Sequence, residues 1–148
     1  MIKQLVAFVL FLLATLVAWA DSVSVDSAGL ARLAGGGVLV IDIRTEGEWK
    51  QSGVIAGSKL LTYVDEQGRV DQTAWLEQVR KFAQADQPVI LICRSGKRSD
   101  AAARFLSQEA GYKTVYNANG GMNAWIKEGR PVVPPAGGLA GCATGMRC

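Results

Sequence analysis

Four consecutive apolar residues, Val38-Leu39-Val40-Ile41, would cover both faces of any strand they form, and Val89-Ile90-Leu91-Ile92 repeats the pattern behind Pro88. Runs that are apolar without alternation belong in the middle of a parallel sheet covered on both sides. Lys59 to Tyr63 and Thr114 to Tyr116 are expected to add shorter strands. Between these runs the period lengthens to that of a helix. Leu30 and Leu33 stand behind a Ser/Asp cap in the segment from Ser27, which Gly35-Gly36-Gly37 ends. Trp75, Leu76, Val79 and Phe82 recur at helical spacing behind Thr73. Ser99 to Glu109 is rich in Ala and ends at Gly111, and Gly120 to Lys127 is stopped by Gly129-Arg130-Pro131. Strand and helix therefore alternate. This predicts an α/β fold, an open parallel sheet flanked by helices on both faces and joined by right-handed crossovers.

The two ends of the chain follow other patterns. Met1 and Lys3 open a segment whose residues from Leu5 to Val17 are largely apolar, and Ala18-Trp19-Ala20 has the small-x-small form of a cleavage site. Residues 1–20 are thus read as a secretory signal, with Asp21 first after cleavage. The apolar run, about 15 residues, is short of the roughly 20 that a spanning helix needs, so an uncleaved anchor is the weaker reading. A bacterial periplasm is the expected destination. From Pro134 the composition becomes Pro-Pro-Ala-Gly-Gly and then Gly-rich, which cannot build a core. Residues 21–133 are expected to form the one folded domain and 134–148 a flexible tail, since 148 residues suffice for one core and one site.

Net charge adds little: +3 in all, and +2 after residue 20, is too weak to point to nucleic acid. Cysteine placement adds more. Cys142 and Cys148 lie together in the Gly-rich tail, and export would let them bond with each other. Cys93 stands apart. It ends the second apolar run and opens the basic loop Arg94-Ser95-Gly96-Lys97-Arg98, with Ser99 at the start of a predicted helix. In an open α/β sheet the crevice lies at the carboxyl ends of the strands, which is where this cysteine falls. A helix N-terminus and three cations within five residues favour the thiolate. Gly96 lets the backbone turn with positive φ, so that successive N–H groups can face an anionic sulfur. A buried structural cysteine would not need those cations. Phosphatase chemistry also uses a thiolate in a basic loop, but usually as C-x5-R; here Arg98 gives C-x4-R, and a six-residue loop has little room for a tetrahedral oxyanion.

These residues resemble the rhodanese family. Cys93 to Ser99 looks like its active-site loop and helix start, and Ile41-Asp42-Ile43-Arg44 like its first strand signature. Gly53-Val54-Ile55-Ala56-Gly57-Ser58 is similar to its G-H-I-P-G-A segment, and Gly120-Gly121-Met122-Asn123-Ala124-Trp125 through Gly129-Arg130-Pro131-Val132 to its G-G-x-x-x-W…G-x-P-V stretch. Four motifs in order over residues 24 to 133 are far more specific than any one of them. The resemblance implies a sulfurtransferase without a cofactor or metal. Cys93 would take the outer sulfur of a small anionic donor such as thiosulfate, hold it as a persulfide, and pass it to cyanide or a thiol. In that scheme Arg94 and Lys97 steer the donor, and Arg98 holds the loop against Asp42. The rival within the family is a non-catalytic binding or redox-sensing module, which usually lacks the cysteine.

Val54 stands where the family usually has His, and the chain has no His anywhere. A ready-formed thiolate needs no general base, but the fixing of the first helix then falls to other residues. Asp42 and Arg44 are expected to pair in support of a neighbouring loop rather than to catalyse. Trp49, Trp75 and Trp125 are expected in the core rather than as substrate platforms, and Tyr112 and Tyr116 carry no functional signal. For Cys142 and Cys148 a tail disulfide is preferred to a zinc site, which wants four ligands; a relay of sulfur from Cys93 would require the tail to fold back. The sequence is silent on oligomeric state.

Overall fold

The structure is a computed structural model, and it describes residues 21–135. The signal-like segment 1–20 and the cysteines Cys142 and Cys148 lie outside the described residues. Five parallel strands, β1 (Val23–Val25), β2 (Leu39–Asp42), β3 (Lys59–Leu60), β4 (Val89–Ile92) and β5 (Val115–Ala118), form one sheet in the order β1-β5-β4-β2-β3. β4 is central, and all four of its residues are fully buried, as an unbroken apolar run requires.

Strand residues alternate between two cores, because successive side chains leave opposite faces of a strand. Ile41, Val89 and Leu91 pack with Trp75 and Val79 of α3 (Gln72–Arg80) and with Ala102 and Ala103 of α4 (Lys97–Arg104). Val40, Ile90 and Ile92 pack with Leu30 of α1 (Ser27–Gly35) and with Met122 and Trp125 of α5 (Gly121–Lys127). Burying each such Ile or Leu contributes about 1.5–3 kcal/mol. A third cluster, Trp49, Val54 and Leu60, seats the short helix α2 (Glu46–Ser52) at the carboxyl end of the sheet. The predicted α/β sandwich is the observed one.

Several boundaries differ from the sequence reading for local reasons. α3 is capped by Asp71, which accepts from Ala74 N–H, and so begins before Thr73. α4 begins at Lys97 rather than Ser99, because Gly96 turns the chain in the left-handed region, φ 93°. It continues into a π-helical turn, Phe105–Glu109. β3 is shorter than expected. Beyond it Leu61 and Tyr63 still donate to Asp42 O and Ile43 O, but the ladder has ended. β1 and α2 were not anticipated: β1 is a three-residue edge strand, and α2 has Trp49 as its only buried residue, too little for a helical period. At the far end Val133 pairs with Val54 in an antiparallel bridge, each N–H donating to the other's carbonyl at 2.9 Å.

Candidate active site

Cys93 follows directly on β4 and is fully buried. Its sulfur faces two donors: the Gly96 N–H, with nitrogen 3.1 Å away, and the Ser99 hydroxyl, 3.3 Å away. Ser99 also lies 3.2 Å from Gly96 O, so its single proton serves either the sulfur or the loop. Two donors therefore converge on the sulfur at the head of α4. Arg94, Ser95 and Lys97 of the same loop are exposed, whereas Gly96 and Ser99 are buried.

The loop keeps this shape because its outward carbonyls are bonded elsewhere. Met122 N–H donates to Cys93 O at 2.8 Å and Asn123 N–H to Arg94 O at 3.0 Å, so the otherwise unpaired amides at the start of α5 hold the loop from one side. Gly121, at φ 57°, lies so close that a Cβ would overlap Cys93 O and come within 2.7 Å of Arg94 C and O. Asn117, at the end of β5, adds a bond from Nδ2 to Gly96 O at 3.3 Å.

Comparison with known proteins fits this geometry. The rhodanese-like domain matches residues 28–128. The chain is 35% identical to a sulfurtransferase of Allochromatium vinosum over 68% of this chain and 82% of that protein. The chain belongs to the rhodanese-like family. A second relative, thiosulfate sulfurtransferase 18 of Arabidopsis thaliana, is 34% identical over 76% of this chain and 84% of its own length. Among solved structures, a rhodanese-related protein from Thermoplasma volcanium superposes with a TM-score of 0.58 at 32% identity, covering 75% of this chain and 97% of that one.

On this rhodanese loop the other side is held by charge. Arg98 makes a two-pronged pair with Glu48 of α2, Nη2 to Oε1 at 2.6 Å and Nη1 to Oε2 at 2.9 Å. The expected partner, Asp42, is not available to it. Both Asp42 oxygens are taken by Arg44, from Nε at 2.9 Å and Nη2 at 2.7 Å, in a pair with almost no exposure. Arg44 then reaches across to Ser52 Oγ, to Gly53 O and to Glu48 O, at 2.6, 2.7 and 3.3 Å, and so fixes the end of α2. In a chain without His, Arg44 supplies the anchor for that helix. Thr45 caps it: Glu48 N–H donates to Thr45 Oγ1, and the Glu48 carboxylate accepts from Thr45 N–H.

Burial works to raise the pKa of Glu48, but the bonds from Arg98 and Thr45 and the charges of Arg98 and Arg44 outweigh it and lower the pKa from 4.5 to about 2. Arg98 is pushed further toward its charged form by the Glu48 hydrogen bonds, against burial, with the Glu48 charge and Cys93 adding to the effect. Arg94 is exposed, its Nε 4.0 Å from Glu48 Oε1.

Glu48 and Asn117 were missed by sequence reasoning. For Glu48 the signal was present, because Thr45-Glu46-Gly47-Glu48 has the T-x-x-E form of a capping box. Asn117 gave none, as a polar residue at a strand end has no distinguishing pattern. The cleft beside the loop holds about 420 Å³ between α2 and α5 and is lined by Arg44, Glu48, Ser52, Arg94, Met122 and Ile126, among others. A larger cleft of about 530 Å³ opens between Leu61 and Gln78, and no cysteine lines it.

Proposed function

We propose that this rhodanese-like protein is an exported sulfurtransferase that moves sulfane sulfur from thiosulfate or a related small anion, through a persulfide on Cys93, to cyanide or a thiol. The observation that carries this reading is the convergence of the Gly96 N–H and the Ser99 hydroxyl on one buried sulfur, beneath a loop that exposes Arg94 and Lys97. The exposed cations draw the dianion in. The Cys93 thiolate attacks the outer sulfur of thiosulfate, a new S–S bond forms, and the old one breaks with its electron pair leaving on sulfite. The donors already aimed at Sγ then face the charge of the persulfide. A nucleophilic acceptor takes the outer sulfur and returns the thiolate. Because the thiol is fully covered, both donor and acceptor must be slender at the reacting end.

The test is intact mass after incubation of the reduced protein with thiosulfate. A gain of one sulfur atom, mapped to Cys93 and missing from Cys93→Ser, supports the reading. No gain removes thiosulfate as the donor and turns attention to other persulfide donors or to a binding module. Export is checked separately, by N-terminal sequencing of the protein from a periplasmic fraction, where Asp21 should come first.

A further inference from the structure

Three donors converge on Gly96 O. The Asp100 N–H reaches it at 3.0 Å in the first turn of α4, Ser99 Oγ stands 3.2 Å away, and Asn117 Nδ2 stands 3.3 Å away. A carbonyl oxygen has two lone pairs, so one of the three is in excess. The Asp100 amide is fixed by the helix and the Asn117 amide is a buried plane, whereas the Ser99 hydroxyl is a rotor with a second acceptor, Cys93 Sγ, at 3.3 Å. Bond lengths favour the same division. A hydroxyl bonds oxygen best at about 2.7–2.8 Å and an N–H at about 2.9–3.0 Å, so Ser99 is the more stretched of the two side-chain donors.

Asn117 is a polar residue on an apolar face. It lies in β5 in register with Leu91 of β4, and it shares a face with Val115, which packs with Ala102 and Ala103 of α4. It is 7% exposed, and its Oδ1 has no hydrogen-bond partner among the described residues. Turning the amide over would set Oδ1 against Gly96 O, acceptor against acceptor, so Nδ2 is the atom that faces the loop. A leucine would fill similar space without a stranded acceptor. What the amide adds at this position is its bond to Gly96 O.

We infer that Asn117 is a positioning residue for sulfur transfer: by occupying Gly96 O beside the Asp100 amide, it leaves the Ser99 proton to Cys93 Sγ. This rests on the persulfide reading given above. As the outer sulfur of thiosulfate bonds to Sγ and sulfite leaves with the electron pair, the hydroxyl already points at the reacting sulfur and need not turn. Without Asn117 the hydroxyl divides its proton between Sγ and Gly96 O. Asn117 bonds the loop carbonyl, not the sulfur, and so acts through Ser99.

Two readouts on the full chain test this. In the first, reduced protein is mixed with thiosulfate at a range of concentrations, and sulfite release in a single turnover is followed in the unaltered protein, Asn117→Leu, Ser99→Ala and the double variant. Denaturant unfolding checks that each is folded. Ser99→Ala should lower the limiting rate about tenfold or more, as loss of a hydrogen bond to a charged group implies. Asn117→Leu should lower it about threefold, a partial loss of that same bond. Neither should move the half-saturating thiosulfate concentration, because Arg94 and Lys97 are untouched. Added to Ser99→Ala, Asn117→Leu should slow loading no further. An amide that only supports the fold would slow loading by the same factor in both backgrounds; that result overturns the inference, as does an Asn117→Leu that is not slowed. The second readout needs no sulfur donor. Neutron diffraction from deuterium-exchanged crystals should place the Ser99 deuteron toward Sγ in the unaltered protein and partly toward Gly96 O in Asn117→Leu. A deuteron toward Gly96 O in the unaltered protein, or toward Sγ in both, overturns the inference. Absence of sulfite from the unaltered protein overturns the thiosulfate reading instead, and the deuteron then decides whether Asn117 directs Ser99.

Discussion

The loop that carries Cys93 is held on two sides by different physics. On the α5 side the grip is made of backbone: two amides on two carbonyls, and Gly121 fitted where no side chain has room. On the α2 side it is ionic, a relay of Asp42, Arg44, Glu48 and Arg98. The backbone grip has no titratable member and can be broken only by shape. The ionic grip can be loosened by pH or by one substitution, and its outer half, Glu48 with Arg98, still touches solvent. The amide that faces the sulfur is thus fixed by geometry, while the cation nearest to it is held adjustably.

Breaking the backbone side or the buried ion pair should have the largest effects, of similar size. Gly121→Ala places a Cβ into Cys93 O at a positive φ, and a loss of about 3 kcal/mol or more, read by denaturant unfolding, is expected together with loss of sulfur loading. Arg44→Met comes next. It leaves the buried Asp42 carboxylate without its counter-charge, with only the backbone N–H of residue 44 still donating to it, for about 3–5 kcal/mol, and frees the end of α2. Glu48→Gln removes the charge but keeps most of the shape, and should lower stability by about 1.5–3 kcal/mol while slowing sulfur loading more than it weakens unfolding resistance, because Arg98 is released beside Cys93. An Arg98 that proved dispensable for loading would show that the ionic side serves the fold alone.

Acid acts on the same ion pair. Glu48 titrates at about 2 in the folded protein and near 4.5 when unfolded, so between these values the unfolded chain binds the extra proton. Its contribution to stability is complete above pH 4.5 and is lost as pH falls toward 2. Unfolding midpoints measured across that window should fall less steeply in Glu48→Gln than in the unaltered protein. Equal slopes would place the acid sensitivity elsewhere.

The backbone side was legible in the sequence as motif and the ionic side only in part. Gly96, Gly120 and Gly121 mark turns that few other residues can make, and the apolar runs ending at Ile41 and Ile92 put Cys93 at the carboxyl edge of a parallel sheet. α2 escaped because its stability comes from Thr45, Arg44 and Trp49, which leave no repeating apolar pattern. The pairing of Arg98 was misassigned for a related reason. Sequence shows which charges lie near a loop, but whether Asp42 is already saturated depends on Arg44, two residues away and turned back onto it. Asn117 became visible only once β5 was laid beside β4.

The claim at the centre of this account is that one sulfur, that of Cys93, carries the transferred atom. It is tested most directly by steady-state formation of thiocyanate from thiosulfate and cyanide, with both substrates varied, in the unaltered protein and in Cys93→Ser. The account predicts parallel double-reciprocal lines, the mark of a covalent intermediate, and loss of turnover in the variant. Intersecting lines, or turnover that survives in Cys93→Ser, would contradict it.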